Sequence, residues 1–183
     1  MARLILLLHR YLGIGVGVLM VMWCLSGVVM MYVSYPALTE SARLKALEPI
    51  AWNGCCRIPE VPRITLKAAG GSTIEMLAGQ PVLFLGASQD ERPIDLLTGS
   101  PIENVTALQA TEIARRFTSG AQAQFHALGL IDHDQWTVSG DFNSQRPLYR
   151  FALGDAADTE LYVSSISGRA VQMTTARERS GGA

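Results

Sequence analysis

The chain has no excess of charge of either sign, few cysteines, and no acid or base at all over one long stretch. Each shortage excludes a class of protein. Fifteen Lys and Arg residues against 16 Asp and Glu give a net charge of −1, so there is no basic field for nucleic acid. The 3 cysteines stand at Cys24 and at the adjacent pair Cys55 and Cys56, without the C-x-x-C spacing of a zinc site. No glycine-rich loop follows a strand and opens a helix, which excludes a phosphate loop. Ser164, Ser165 and Ser167 cluster without a histidine base beside them, so they do not spell a nucleophilic triad.

The uncharged stretch runs from Tyr11 to Leu38. A bilayer core needs about 20 apolar residues of helix, and this run is long enough to span with some tilt. A cleaved signal peptide has an apolar region of about 7–15 residues ending at a small-x-small site. This run is longer and YPALTESA fits such a site badly, so an anchor is expected. Arg3 and Arg10 precede the span without any acid, while Glu40, Arg43, Lys45 and Glu48 follow as a mixed set. The positive-inside rule puts the N-terminus in the cytoplasm and the chain after Leu38 outside.

Positions 9, 13, 17, 20, 24 and 27 share one helix face and read His9, Gly13, Gly17, Met20, Cys24 and Gly27. Small residues four apart let two membrane helices approach closely, so Gly13, Gly17 and Gly27 are candidate helix-packing positions. His9 has two readings: an imidazole placed to ligate haem iron, or a polar flank beside the headgroups.

Beyond the span, Thr39–Leu47 reads as a short helix, and Pro49, Pro59 and Pro62 then interrupt regular structure. Residues 39–62 are expected to be a linker. In an oxidising compartment Cys55 and Cys56 can close a vicinal ring, meet a partner protein or stay reduced. Over 63–102 the pattern is a meander of strands at Arg63–Leu66, Thr73–Leu77, Pro81–Leu85 and Arg92–Leu97. Over 103–175 it becomes one helix and then strands. Thr106-x-x-Gln109 fits a capping box, with Ala107, Ala110, Ile113, Ala114 and Phe117 on one face. The strands expected are Gln135–Ser139, Leu148–Leu153, Glu160–Ser165 and Arg169–Thr174. The two regions echo each other: residues 94–102 align with 163–171 as strand, hydroxyl-Gly turn, strand, with Gly99 and Gly168 supplying positive φ. Residues 176–183 are expected to be a disordered tail. Asp132-His133-Asp134 offers metal-type ligands, though a polar turn explains it as well. The fold class is therefore α+β: one N-terminal transmembrane helix followed by an extracytoplasmic unit of helix plus antiparallel sheet.

Leu8-His9-Arg10-Tyr11-Leu12-Gly13, the continuation Trp23-Cys24-Leu25-Ser26-Gly27, and the segment Thr106–Thr174 ending LYVSSISGRAVQ resemble the PepSY-associated transmembrane proteins, also described as iron-regulated membrane proteins. These parts cover about half of the chain. The resemblance implies an inner-membrane protein with a PepSY-like periplasmic module, related to haem-bearing reductases of ferric siderophores. It implies a b-type haem with His9 as a ligand. Family members usually carry further membrane helices after the exported domain, and a haem held between helices needs a second axial ligand. The expectation is that this chain is the N-terminal piece of such a protein, or that it pairs with another subunit. Its partners would then be the bilayer, further transmembrane helices and a ferric siderophore. The other reading is a non-enzymatic PepSY module that binds or regulates an extracytoplasmic protein.

Overall fold

The computed structural model describes residues 2–32, 35–52, 55–57, 71–85, 92–118 and 125–181. They form two compact units, Met1–Tyr35 with Arg177–Ala183, and Pro36–Ala176.

The first unit is built on helix α1, Ala2–Tyr32, of 31 residues. At 1.5 Å per residue it is about 46 Å long, and its apolar residues lie exposed all round. A helix that is apolar on every face has no soluble core of its own to cover it. By length and composition it can cross a membrane, a test that a signal sequence also passes.

The second unit is α+β. Helix α2, Glu40–Ala46, starts where the Thr39 side chain accepts the Ala42 N–H. Strands β1 (Ser72–Leu77), β2 (Gln80–Leu85) and β3 (Ile94–Asp95) form an antiparallel sheet in that order. β1 and β2 are joined by Ala78 and Gly79, both with positive φ, the two-residue hairpin whose twist matches the strands. Helix α3, Ala107–Phe117, follows with its expected capping box complete: the Gln109 N–H donates to Thr106 Oγ1 and the Thr106 N–H to Gln109 Oε1. The second sheet runs β4 (His126–Ile131), β5 (Leu148–Ala152), β6 (Glu160–Ser164) and β7 (Ala170–Thr174), antiparallel throughout.

Both sheets and α3 close on one core. Leu77, Val82 and Phe84 meet Ala110, Ile113, Ala114 and Phe117 of α3, and Phe151, Leu161 and Val163 of the second sheet. The described residues of 63–102 and of 103–175 thus share one packed body. Part of the expected linker belongs to that body too, since Arg43 of α2 is buried.

The echo between residues 94–102 and 163–171 is a turn built twice. Asp95 donates its N–H to the Ser100 carbonyl at 3.0 Å, and Ser164 to that of Arg169 at 2.9 Å. Gly99 donates to the Asp95 carbonyl and Gly168 to that of Ser164. Within each turn the first side chain accepts the N–H two residues on, Leu97 to Asp95 and Ile166 to Ser164. The hydroxyls of Thr98 and Ser167 accept the N–H of Ser100 and Arg169. Gly99 and Gly168 have φ of 75° and 73°.

Several expectations are corrected. Gln135–Ser139 is no strand: it is a turn, followed by the 3-10 helix Gly140–Gln145. Trp136 and Thr137 are buried there, held by Asp134, whose Oδ1 accepts the Trp136 N–H and the Thr137 hydroxyl. The strand at His126–Ile131 was unmarked in the pattern because it is an exposed edge. Of Arg92–Leu97 only Ile94–Asp95 is strand. Ala176–Gly181 is a short helix, α4, rather than a disordered tail. The expected strand Arg63–Leu66 lies outside the described residues.

Candidate functional site

α1 carries the sequence-derived candidates. Its residues 9, 13 and 17 follow one another at one-turn spacing, with His9, Gly13 and Gly17 all exposed. Apart from its chain neighbours and the helix's own backbone, a Cβ built at Gly13, Gly17 or Gly27 would meet no atom within 4 Å. That face is therefore flat and apolar, with one imidazole on it. His126 and His133 belong to the other unit, on the edge strand β4 and beside Asp132. Among the described residues of the first unit, His9 is the one histidine.

Cys55 and Cys56 are bonded to each other. Cys55 is half-buried and Cys56 exposed. Flanking bonds fix the segment, as the Cys55 N–H donates to the Trp52 carbonyl at 3.1 Å and the Arg57 N–H to that of Leu96 at 2.6 Å.

Three polar clusters that the sequence did not announce hold the second unit together. In the first, Arg43 of α2 makes a two-bond contact with Glu75 of β1, 2.7 and 3.1 Å, and another with Glu40. Arg169, from the second turn, donates to the same Glu75 carboxylate at 2.5 Å and lies 3.7 Å over the Phe84 ring. Glu75 is only 3% exposed and serves two guanidiniums. Burial alone would lower the Arg43 pKa, but its bonds to Glu40 and Glu75 outweigh that and raise it. Burial lowers the pKa of Arg169, which shares one carboxylate and feels Arg43 beside it. Glu40 is held below the ordinary carboxylate value by its bond to Arg43. The signal in the sequence was a glutamate inside the apolar run Ser72–Leu77.

The second cluster lies on the sheet face opposite α3. The Tyr162 hydroxyl donates to Asp134 Oδ2 at 2.8 Å and lies 3.2 Å from Glu160 Oε2, with Arg150 4.0 Å from both carboxylates. Burial, and then the Asp134 carboxylate, push the Tyr162 phenol above its ordinary pKa. The third cluster centres on Gln172 of β7. Its amide donates to the carbonyls of Pro36 at 2.7 Å and Trp136 at 3.2 Å, and its oxygen accepts the Leu38 N–H at 3.0 Å. A buried amide bonded on both ends clamps the start of the unit onto its last strand.

None of these clusters is laid out for catalysis. Ser164 and Ser167 donate to the carbonyl and side-chain oxygen of Gln145, so their hydroxyls serve the turn. Asp134 is engaged as above and His133 pairs with Asp132 on the surface. Among the described residues no three His, Cys, Asp or Glu side chains gather to hold a metal ion. The cavity beside Arg43, Glu75 and Arg169 measures about 10 Å³, room for one water molecule.

Compared with protein-family models, curated proteins and solved structures, the chain matches none.

Proposed function

We propose that the chain is a membrane-anchored, extracytoplasmic domain of PepSY type, and that it works as one part of a haem-bearing ferric-chelate reductase of the bacterial inner membrane. The observation that carries this reading is the flat face of α1, where His9 stands in line with Gly13 and Gly17 and no side chain lies within 4 Å of either glycine's Cβ position beyond its chain neighbours. His9 would hold the haem through a ring nitrogen, the two glycines would let a flat group approach the backbone, and the apolar helix would keep water away. A bound haem would supply one-electron transfer there. The second ligand comes from a partner helix, carried by a longer form of the chain or by another subunit. The α+β unit, on the periplasmic side, presents a surface to a ferric siderophore. Reduction of Fe(III) to Fe(II) on that side loosens the chelate's hold on the metal.

One observation favours a second reading, a non-enzymatic binding or regulatory module. Among the described residues β4 is a sheet edge, with Leu128 and Leu130 exposed, a surface on which an extended segment of another protein can pair. Haem retention separates the two. A reduced-minus-oxidised absorbance spectrum of the detergent-purified chain, alone and in a form extended by further membrane helices, is expected to show in the extended form a b-type signal that His9→Ala removes. No haem in either form refutes the redox reading and leaves the binding module.

A further inference from the structure

A disulfide between neighbours in the chain closes no loop. The chain-entropy stabilisation of a structural disulfide grows with the loop it closes, so the Cys55–Cys56 bond contributes almost none of it. The segment is already fixed without the bond, by the Cys55 and Arg57 backbone hydrogen bonds to Trp52 and Leu96. The two residues also differ in access, since Cys56 is exposed and Cys55 half-buried. An exposed disulfide that does not staple the fold is a bond open to thiol attack.

We propose that Cys55–Cys56 is a thiol–disulfide exchange site that accepts two electrons from a dithiol donor and is attacked at Cys56. A thiolate of the donor bonds to Cys56 Sγ and the Cys55–Cys56 bond breaks, with Cys55 leaving as a thiolate that takes up a proton. The donor's second thiol then attacks its own sulfur in the mixed disulfide and releases the Cys56 thiol. The pair gains two electrons and two protons, and the donor ends as a disulfide. The exchange itself does not depend on the haem reading. The oxidised resting state rests on the periplasmic placement proposed above, because a reducing compartment would hold both thiols free.

The test uses the full chain in detergent with Cys24→Ala, so that only the pair is counted. The protein is equilibrated in mixtures of reduced and oxidised dithiothreitol below its unfolding temperature, quenched with acid, alkylated and weighed. Molecules carrying two labels or none, interconverting reversibly, are expected. A second arm adds oxidised glutathione to the single variants. The Cys56 thiol left by Cys55→Ser is expected to form the mixed disulfide about tenfold faster than the Cys55 thiol left by Cys56→Ser, from its better access. A third arm compares unfolding midpoints, where the double serine variant should lie within about 2 °C of the parent, as for a surface change. Reduction only after unfolding, free thiols in the oxidised protein, a disulfide-linked dimer, or a large fall in midpoint would each overturn the exchange site. Equal glutathione rates would overturn attack at Cys56. Every one of these outcomes leaves the His9 spectrum to stand or fall separately.

Discussion

The doubled turn allows one backbone conformation to be tested in two surroundings. Gly99 and Gly168 occupy the same position in the same hydrogen-bond frame, with φ of 75° and 73°. Alanine at either site pays the left-handed backbone cost of about 1–2 kcal/mol, offset by about 0.4–1 kcal/mol from a less flexible unfolded chain. The surroundings then part them. A Cβ at Gly99 would sit 3.6 Å from the Arg57 Cβ, an ordinary contact. A Cβ at Gly168 would come within 3.1 Å of Leu77, 3.2 Å of Ile113 and 3.3 Å of Val105, one each from β1, α3 and the segment before α3. These neighbours are core residues with little room to retreat, and overpacking of this kind costs a further 1–3 kcal/mol or so. Gly99→Ala should therefore destabilise by about 1 kcal/mol and Gly168→Ala by about 2–4 kcal/mol. With an unfolding entropy of roughly 2.1 cal/mol/K per residue over Pro36–Ala176, the unit changes by about 0.3 kcal/mol per degree. The midpoints should fall by about 3 °C and about 10 °C. Near-ultraviolet circular dichroism follows this transition, because Trp136 is buried in the unit. Equal shifts for the two variants would refute the idea that the second turn is wedged into the core.

Glu75→Gln leaves Arg43 and Arg169 without their shared buried carboxylate and should destabilise by about 3–5 kcal/mol. Glu40→Gln, at a side chain 67% exposed, should cost below about 1 kcal/mol; urea titration of both checks the contrast, and similar midpoints would refute it. Tyr162 carries a pKa raised above its ordinary value of 10.0, so the folded state keeps a proton that the unfolded chain releases. Its contribution is complete below pH 10 and is lost as pH rises through the folded value, about 1.4 kcal/mol of it by pH 11. In Tyr162→Phe stability should decline less steeply between pH 10 and 11, and an unchanged slope would refute the assignment.

Much of this architecture was legible because its signals are local. The capping box at Thr106, the hydroxyl-glycine turns and the uncharged run each depend on residues a few positions apart, and each is present. β4 was not legible because an edge strand has little burial on either face to impose alternation, and its bulge between Ala127 and Gly129 breaks the period. The Gln135–Ser139 stretch looks like a strand because Trp and Thr are strand formers, whereas Asp134 folds them into a turn. The polar clusters were invisible for a different reason. Arg43, Glu75 and Arg169 are joined by topology alone, and only the oddity of Glu75 and Gln172 within apolar strands marks them.

The Gln172 clamp gives the second unit a mechanical entry point. A pull on the chain ahead of Pro36 is met first at the Pro36 carbonyl and the Leu38 N–H, both bonded to one buried side chain of β7. β7 is itself zipped along β6 through residues 160–163 and 170–174. Load therefore enters the unit at its last strand, although the chain enters at its first residue. The unit's last strand thus anchors its first residues.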